Sequence, residues 1–469
     1  MVMKYQAAKN PRLYRLLIGP GLFLLSTVFP IDTIALAARA SIGCVLWMGY
    51  WWVSLPVNAA VTALIPVCVN ALFHVIPMDS VISCYFSEIV VLLLGANLIS
   101  LSWEETGLDK RLAMKVLCVI GPRIEQQVIT WFLLSVVLSM FLPNAVVCAI
   151  LISIAVSMLK FSLGGDIAGN RISMLILAVI AWGAGVGGMG TPLGGAMNLI
   201  AVGYLEELLG QEFLYVDWVV RLCPIMAALV IVNIAYFLAI RPRNVTLGKT
   251  KEYFARQYHT LGLINRSETC SLVLFLIAGG LSFTRTLFAT QLPALKPAYI
   301  FLICGMLTFF IRKQDGTPML TWGIVEKRIE WNLLFLFAGG LAVGRMISDS
   351  GAADEIADAL ASAHLTGGFW TALIMVIFTV AMAEIASNTA AAAISLPVVI
   401  SIISSLNMDP VPYIFLVSAA FNVANMLPTS VRAIPVGYGL STSYLFKNGL
   451  VLTILDITVI TVLGFLLLL

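Results

Sequence analysis

The sequence predicts an all-α protein that crosses a membrane many times, built as an inverted repeat of two units, each with five spans and one re-entrant hairpin, and preceded by one extra span. Three observations point there. The 469-residue chain is 60% apolar and only 11% charged, against ~45–50% and ~25% in soluble domains. Its apolar segments recur at lengths that suit a bilayer, whose hydrocarbon core takes ~20 residues of helix to cross. The two halves also match at a single ungapped offset of 244 residues.

The same composition excludes several function classes. With 27 basic and 24 acidic residues the net charge is +3, and no basic block stands outside the loops, so nucleic-acid binding and soluble enzymes have no support. The eight cysteines lack CxxC spacing and sit mostly in apolar runs, where a thiol packs as a small hydrophobe. His74, His259 and His364 are scattered, which gives no metal or haem site.

Residues 1–34 form a retained tail and the extra span, near 12–30. The first repeat, 35–240, holds crossings near 35–55, 57–77, 82–101, 172–208 and 217–240; a linker follows at 241–266; the second repeat, 267–469, holds crossings near 268–287, 295–311, 331–348, 411–446 and 448–469. Two more apolar stretches, 124–160 and 368–406, are each about two helices long and are interrupted at Pro143-Asn144 and at Ser387-Asn388-Thr389. Read as hairpins that enter and leave on one side, or as paired crossings, they give the same sidedness. Basic residues then gather inside, at Lys4 to Arg15, Lys110 to Arg123, Arg241 to Arg266 and Arg312-Lys313. The acidic segment 349–364 and the C-terminus fall outside, the N-terminus in the cytoplasm, and the protein in the cell membrane.

The offset pairs Gly95 with Gly339, Gly107 with Gly351, Ala113 with Ala357 and Asn144 with Asn388. Five crossings per unit is an odd number, so the second unit is upside down relative to the first, the arrangement common in secondary transporters. Each unit has a further break, at Gly187 to Asn198 (within 172–208) and at Leu427 to Pro435 (within 411–446). A broken helix offers unpaired N–H groups and a positive dipole end to an anion, and freed carbonyls to a small cation. Asn144 and Asn388 add amides, Ser387 and Thr389 hydroxyls; alternatively these side chains only satisfy turn backbone. Arg432 lies in the second break, where a buried arginine costs at least ~2.5–3.5 kcal/mol. It calls for a partner, either a substrate carboxylate or Glu384, unless it faces a watery vestibule.

At these residues the sequence resembles the divalent anion/sodium symporter family, carriers of dicarboxylates, tricarboxylates and sulfate. Ala386-Ser387-Asn388-Thr389-Ala390 is similar to its Ser-Asn-Thr signature; Tyr85 to Ile89 with Glu104 to Ala113, and Ile329-Glu330-Trp331 through Gly340 with Ser350-Gly351, resemble the stretches before the two hairpins. The resemblance implies a homodimer with a scaffold and an elevator-like transport domain, and no cofactor other than sodium ions. It implies ion sites at Ser139, Asn144 and Gly194 and at Ser387 and Asn388, with substrate contacts drawn from Asn144, Ala145, Gly194, Gly195, Ser387, Asn388, Thr389, Ser430 and Arg432. The chain departs from the pattern at Pro143-Asn144-Ala145, at Gly195 to Asn198, at Val431 to Ile434 and at Ala383. Fewer oxygen ligands and a fixed cation weaken sodium binding. The expectation is a sodium-independent exchanger of succinate, malate, fumarate or 2-oxoglutarate; the alternatives are a sodium-coupled symporter of a dicarboxylate, citrate or sulfate and, with Glu384 and Asp456 as its carboxylates, a sodium/proton antiporter. No enzyme motif is present in the sequence.

Overall fold

The computed structural model describes residues 13–28, 34–163, 167, 169–243, 245–248, 250–313, 315–352, 355 and 367–469. The N-terminal tail and, in the acidic segment, Asp354, Asp358 and the matched Ala357 lie outside the described residues. Among the described residues all regular structure is helical apart from two isolated bridges, Arg123 with Thr246 and Arg312 with Pro318. Nine of those helices are long and apolar enough to cross a membrane.

Helix α1 (Leu13–Val28) packs along α2 (Leu36–Ser54). The single crossing expected over 57–77 is instead two short helices, α3 (Ala59–Thr62) and α4 (Ile65–Phe73). Pro66 causes the division, because its ring removes an N–H and collides with the carbonyl four residues back. After α5 (Met78–Ser83), α6 (Glu88–Thr106) ends at Gly107 in the left-handed region, φ 76°. Amphipathic α7 (Leu108–Leu117) follows, burying Leu108, Ala113, Met114 and Leu117. Its Arg111 donates to Glu268 Oε1 (2.8 Å) and to the carbonyls of Leu261 (2.9 Å) and Gly262 (2.8 Å), fastening α7 to the end of the linker.

The first hairpin is α8 (Ile124–Ser139) and α9 (Asn144–Leu163). Helix α10 (Arg171–Gly188), a break at 189–195 and α11 (Ala196–Leu209) make the first interrupted crossing, and α12 (Tyr215–Ile240) completes the unit. The linker contains a helix that hydropathy does not signal, α13 (Thr250–Thr260). The second half runs through α14 (Arg266–Phe283), α15 (Pro297–Leu307), short α16 (Trp322–Arg328) and α17 (Trp331–Asp349). Its hairpin is α18 (Gly368–Ile385) and α19 (Asn388–Ser405), so the offset of 244 carries the start of α8 onto α18 and that of α9 onto α19. Then come α20 (Val411–Ala420), the five-residue α21 (Ala433–Gly437) and α22 (Thr442–Leu467). Here the expected boundaries shift: the break opens at residue 421, and the last span starts at Thr442, inside the segment assigned to 411–446. Gly439, at φ 104°, lies just past the end of α21, which lasts little more than a turn.

Two packing sets result. In one, α6 lies against α14 and α15; in the other, α8, α9, α10, α12, α18, α20 and α22 pack together, and α11, α17 and α19 meet between them. The repeat-matched glycines explain how the halves interlock. A Cβ on Gly95 of α6 would stand 2.5 Å from the Leu302 nitrogen on α15, and one on Gly339 of α17 would stand 2.6 Å from the Ala63 carbonyl between α3 and α4. Each half thus lends a glycine face to a helix of the other, the close backbone approach that small residues allow in membranes.

The second set is pinned by a buried polar knot. Asp456 of α22 is fully buried; its Oδ1 accepts from Asn233 Nδ2 (2.7 Å) and its Oδ2 from Asn425 Nδ2 (2.8 Å). The Asn425 carbonyl accepts from Trp182 Nε1 (3.1 Å), which ties in α10.

Two predictions follow from this packing. Gly95→Leu is expected to prevent accumulation of folded protein, and Gly95→Ala to cost about 1–3 kcal/mol, read as a lowered Tm of the purified carrier in detergent. Asp456→Asn sets two amide nitrogens face to face and should destabilise by about 1–3 kcal/mol. The double variant Asp456→Asn, Asn425→Asp restores a donor–acceptor pair and should recover much of the loss in the same melt; failure to recover would show that the pair does not act as a unit.

Candidate functional site

Both hairpin tips and both breaks border one cavity of about 370 Å³. Arms that each crossed the bilayer would leave their turns at opposite surfaces; tips that share an internal cavity belong to re-entrant hairpins. Pro143, Asn144 and Ala145 come from the first tip, Gly195 from the first break with Ala196 and Met197 at the start of α11, Ser387, Asn388 and Thr389 from the second tip, and Ser430 and Val431 from the second break. The facing wall consists of Ala59 at the start of α3 with Glu330, Asn332, Leu333 and Leu336 at the start of α17.

On the side of the tips and breaks three helices begin at this cavity: α9 at Asn144, α11 at Ala196 and α19 at Asn388. Their first-turn N–H groups have no acceptor within the helix, and the positive ends of three dipoles converge where an anion would sit. One of those amides is satisfied internally, since Ser387 Oγ accepts from Ala390 N (3.2 Å).

Each tip is stitched to the break of its own half. In the first, Thr191 Oγ1 donates to the Met140 carbonyl, and Asn198 Nδ2 donates to the carbonyls of Gly188 (2.7 Å) and Thr191 (2.9 Å). In the second the stitches carry charge. Glu384, 3% exposed, accepts three consecutive backbone N–H groups, from Asn425 (2.6 Å) and Met426 (2.9 Å) on Oε1 and from Leu427 (2.9 Å) on Oε2. Arg432, 1% exposed, donates from Nε to the Leu427 carbonyl (3.3 Å) and from Nη2 to Asn388 Oδ1 (3.3 Å) and Thr429 Oγ1 (3.1 Å). A direct Arg432–Glu384 ion pair, one partner the sequence suggests, is absent among the described residues. The two charges grip the two successive amides that flank the Leu427 Cα.

Of the sequence-derived substrate contacts, Asn144, Ala145, Gly195, Ser387, Asn388, Thr389 and Ser430 line the cavity, whereas Arg432 and Gly194 do not. Arg432 is neither in a watery vestibule nor on the cavity wall; it stands behind Asn388, whose amide oxygen it holds. Gly194 lies behind the first tip, where an added Cβ would sit 2.6 Å from the carbonyl oxygens of Ser139 and Gly188 and 3.1 Å from that of Met140. A Cβ on neighbouring Gly188 would stand 2.7 Å from Asn422 Oδ1 and 2.8 Å from Asn144 Oδ1, and these two oxygens, like Ser139 Oγ, are buried without a hydrogen-bond partner. Pro143 has no N–H to offer the Ser139 carbonyl four residues back. A cluster of neutral oxygens with no donor suits a hard cation. Asn422, from the second half, and the wall residues Ala59, Glu330 and Asn332 escape a sequence reading. No short-range pattern marks them, and only tertiary contact brings them to the site.

The profile of the citrate transporter family matches residues 45–420. A sodium-dependent dicarboxylate transporter of Staphylococcus saprophyticus, SdcS, is 27% identical over 468 residues, covering 96% of this chain and 90% of the relative; its namesake in Staphylococcus aureus is 26% identical over 447 residues, covering 91% and 85%. The solved structures of the Alcanivorax borkumensis YdaH transporter (TM-score 0.54, 97% of this chain and 98% of that one) and Neisseria gonorrhoeae MtrF (TM-score 0.55, 96% and 97%) share the fold at 14% identity. The chain is a multi-pass membrane transporter and not an enzyme, and it belongs to the citrate transporter family within the divalent anion/sodium symporters.

Proposed function

We propose that the protein is a secondary carrier of di-anionic carboxylates such as succinate, malate, fumarate and 2-oxoglutarate, and that it works as a sodium-independent exchanger. The names of the staphylococcal relatives support the dicarboxylate. One observation carries the exchange: the Arg432 guanidinium already holds Asn388 Oδ1 and the Leu427 carbonyl, acceptors that a bound cation at the second tip would need. The family's hydroxyl is also missing one turn earlier, at Ala383. Substrate carboxylates are bound by the N-termini of α9, α11 and α19 with Asn144, Asn388 and Thr389, while Arg432 supplies fixed positive charge from behind.

With the basic loops in the cytoplasm, the N-terminus is inside and the C-terminus outside. The cytoplasmic ends of α3 and α17 then form the far wall, so the cavity faces inward. Its place at the seam between the two packing sets suits an elevator in which the hairpin-bearing set slides against α6, α14 and α15, in a homodimer as the resemblance implies.

Sodium symport remains a second reading because of the orphaned oxygens at the first tip. Ser139, Asn144 and Asn422, with carbonyls near Gly194, would hold one ion and so lend positive charge beside Asn144. A single assay separates the two readings. In sodium-free medium, proteoliposomes loaded with unlabelled malate are expected to take up labelled succinate, and empty ones are not; uptake into empty vesicles only on adding sodium would establish symport instead. Arg432→Ala should reduce exchange at least about tenfold, and Arg432→Lys should not restore it, because an ammonium lacks the planar fork that spans several acceptors.

A further inference from the structure

Glu330 is the odd group in an anion cavity. It immediately precedes α17 and lines both the 370 Å³ cavity and an adjoining polar one of about 160 Å³ that also contains Asn97, Ser100, Glu104 and Arg328. It is solvent-exposed, and its carboxylate has no hydrogen bond or ion pair among the described residues. The nearby basic groups are engaged elsewhere: Arg328 donates to both Glu104 and Glu105, and Lys313 lies 3.5 Å from Glu105. No other carboxylate borders the larger cavity among the described residues.

An ionised carboxylate facing a dianion repels it, and an acceptor with no donor cannot help hold two carboxylates. Most donors for those carboxylates are on the opposite side, at the three helix N-termini and at Asn144, Asn388 and Thr389, while the wall beside Glu330 offers the Asn332 amide. Glu330 becomes favourable to a ligand only if the ligand points a donor at it. We propose that Glu330 is a specificity-determining residue that selects dicarboxylates bearing a hydrogen-bond donor, a hydroxyl or an ammonium, on the carbon beside a carboxylate. This rests on the dicarboxylate reading above. A plain four-carbon diacid presents only methylene groups to Glu330, so closure around it leaves the carboxylate partly stripped of water and unpaired. A site built to bond a hydroxyl discriminates strongly against the analogue that lacks it.

The test uses the full-length carrier in proteoliposomes at neutral pH, with labelled succinate as tracer and unlabelled succinate, L-malate and L-aspartate as competitors. L-malate, L-aspartate or both should displace the tracer at about tenfold lower concentration than succinate. Malate alone identifies a hydroxyl and aspartate alone an ammonium as the donor, and either result supports the inference. Glu330→Gln, whose amide oxygen still accepts, should keep a malate preference, lose an aspartate preference and tighten succinate binding; Glu330→Leu should make all three compete alike. Equal competition in the unaltered protein, or a preference unchanged in Glu330→Leu, overturns the inference while leaving dicarboxylate transport intact. Tracer that is neither taken up nor displaced overturns both. The comparison in the unaltered protein and in Glu330→Gln decides the matter even where Glu330→Leu fails to fold.

Discussion

The backbone of Leu427 lies between two buried charges of opposite sign that never touch, with one of its flanking amides turned to each. Its N–H is given to Glu384 and its carbonyl is taken by Arg432. Either charge alone, at this depth in a protein that spans a bilayer, would carry a heavy desolvation cost. Hydrogen bonds from the Asn425, Met426 and Leu427 N–H groups to Glu384, and from Arg432 to the Leu427 carbonyl, Asn388 and Thr429, leave no bare ion. Residues 421–429 have no helix of their own, so this clamp sets their path. Asp456 holds the same loop from its far side through Asn425. The orientation of Asn388 at the cavity is therefore the last link of a chain that begins in α22.

The repeat makes the contrast between the halves informative. Geometry is conserved: both hairpins begin at positions related by 244 residues, both second arms start on the matched asparagine, and Gly95 and Gly339 each admit a helix of the other half. Chemistry is not. The first tip is joined to its break by a neutral hydrogen bond from Thr191, and Ser139 Oγ and Asn144 Oδ1 are left without donors, as is Asn422 Oδ1 of the second half. The second pair is joined by a carboxylate that accepts the loop's N–H groups and a guanidinium that occupies Asn388 Oδ1, the oxygen matched to Asn144 Oδ1. One architecture thus presents a cation-seeking cluster on one side of the cavity and a built-in cation on the other.

How far the sequence reveals this depends on the range of each interaction. Hairpins and interruptions show because apolar length, Pro143-Asn144 and Ser387-Asn388-Thr389 are local signals, and seven of the nine substrate contacts that the family resemblance implies line the cavity. Pro66 is equally local, yet hydropathy averages over it, which hides the division of 57–77 into α3 and α4. The insertion cost of Arg432 is legible from its apolar surroundings, but not its direction. Whether a guanidinium turns to the cavity or to Asn388 depends on a loop shaped by Glu384 and Asp456, 48 residues before it and 24 after it. The wall opposite the tips, where Ala59 meets Glu330 and Asn332, joins segments some 270 residues apart, and no periodicity announces such a contact.

A fixed guanidinium and a diffusible ion differ in what remains when substrate leaves. Sodium departs with its anion, so an emptied carrier can return close to neutral. Arg432 stays, and it is tied to Asn388 in the same tip that the anion touches. With the anion gone, the positive ends of α9, α11 and α19 face the cavity unfilled, with the guanidinium behind Asn388. Glu384 offsets the full charge of Arg432, so what would cross the bilayer interior uncompensated is the partial positive charge of those helix ends, in a region where charge is expensive. A dianion removes the excess, and a second dianion does so equally well on the way back. Coupling in the proposed exchanger thus needs no ion gradient and no gate dedicated to it; it arises because the empty carrier is the species the membrane disfavours.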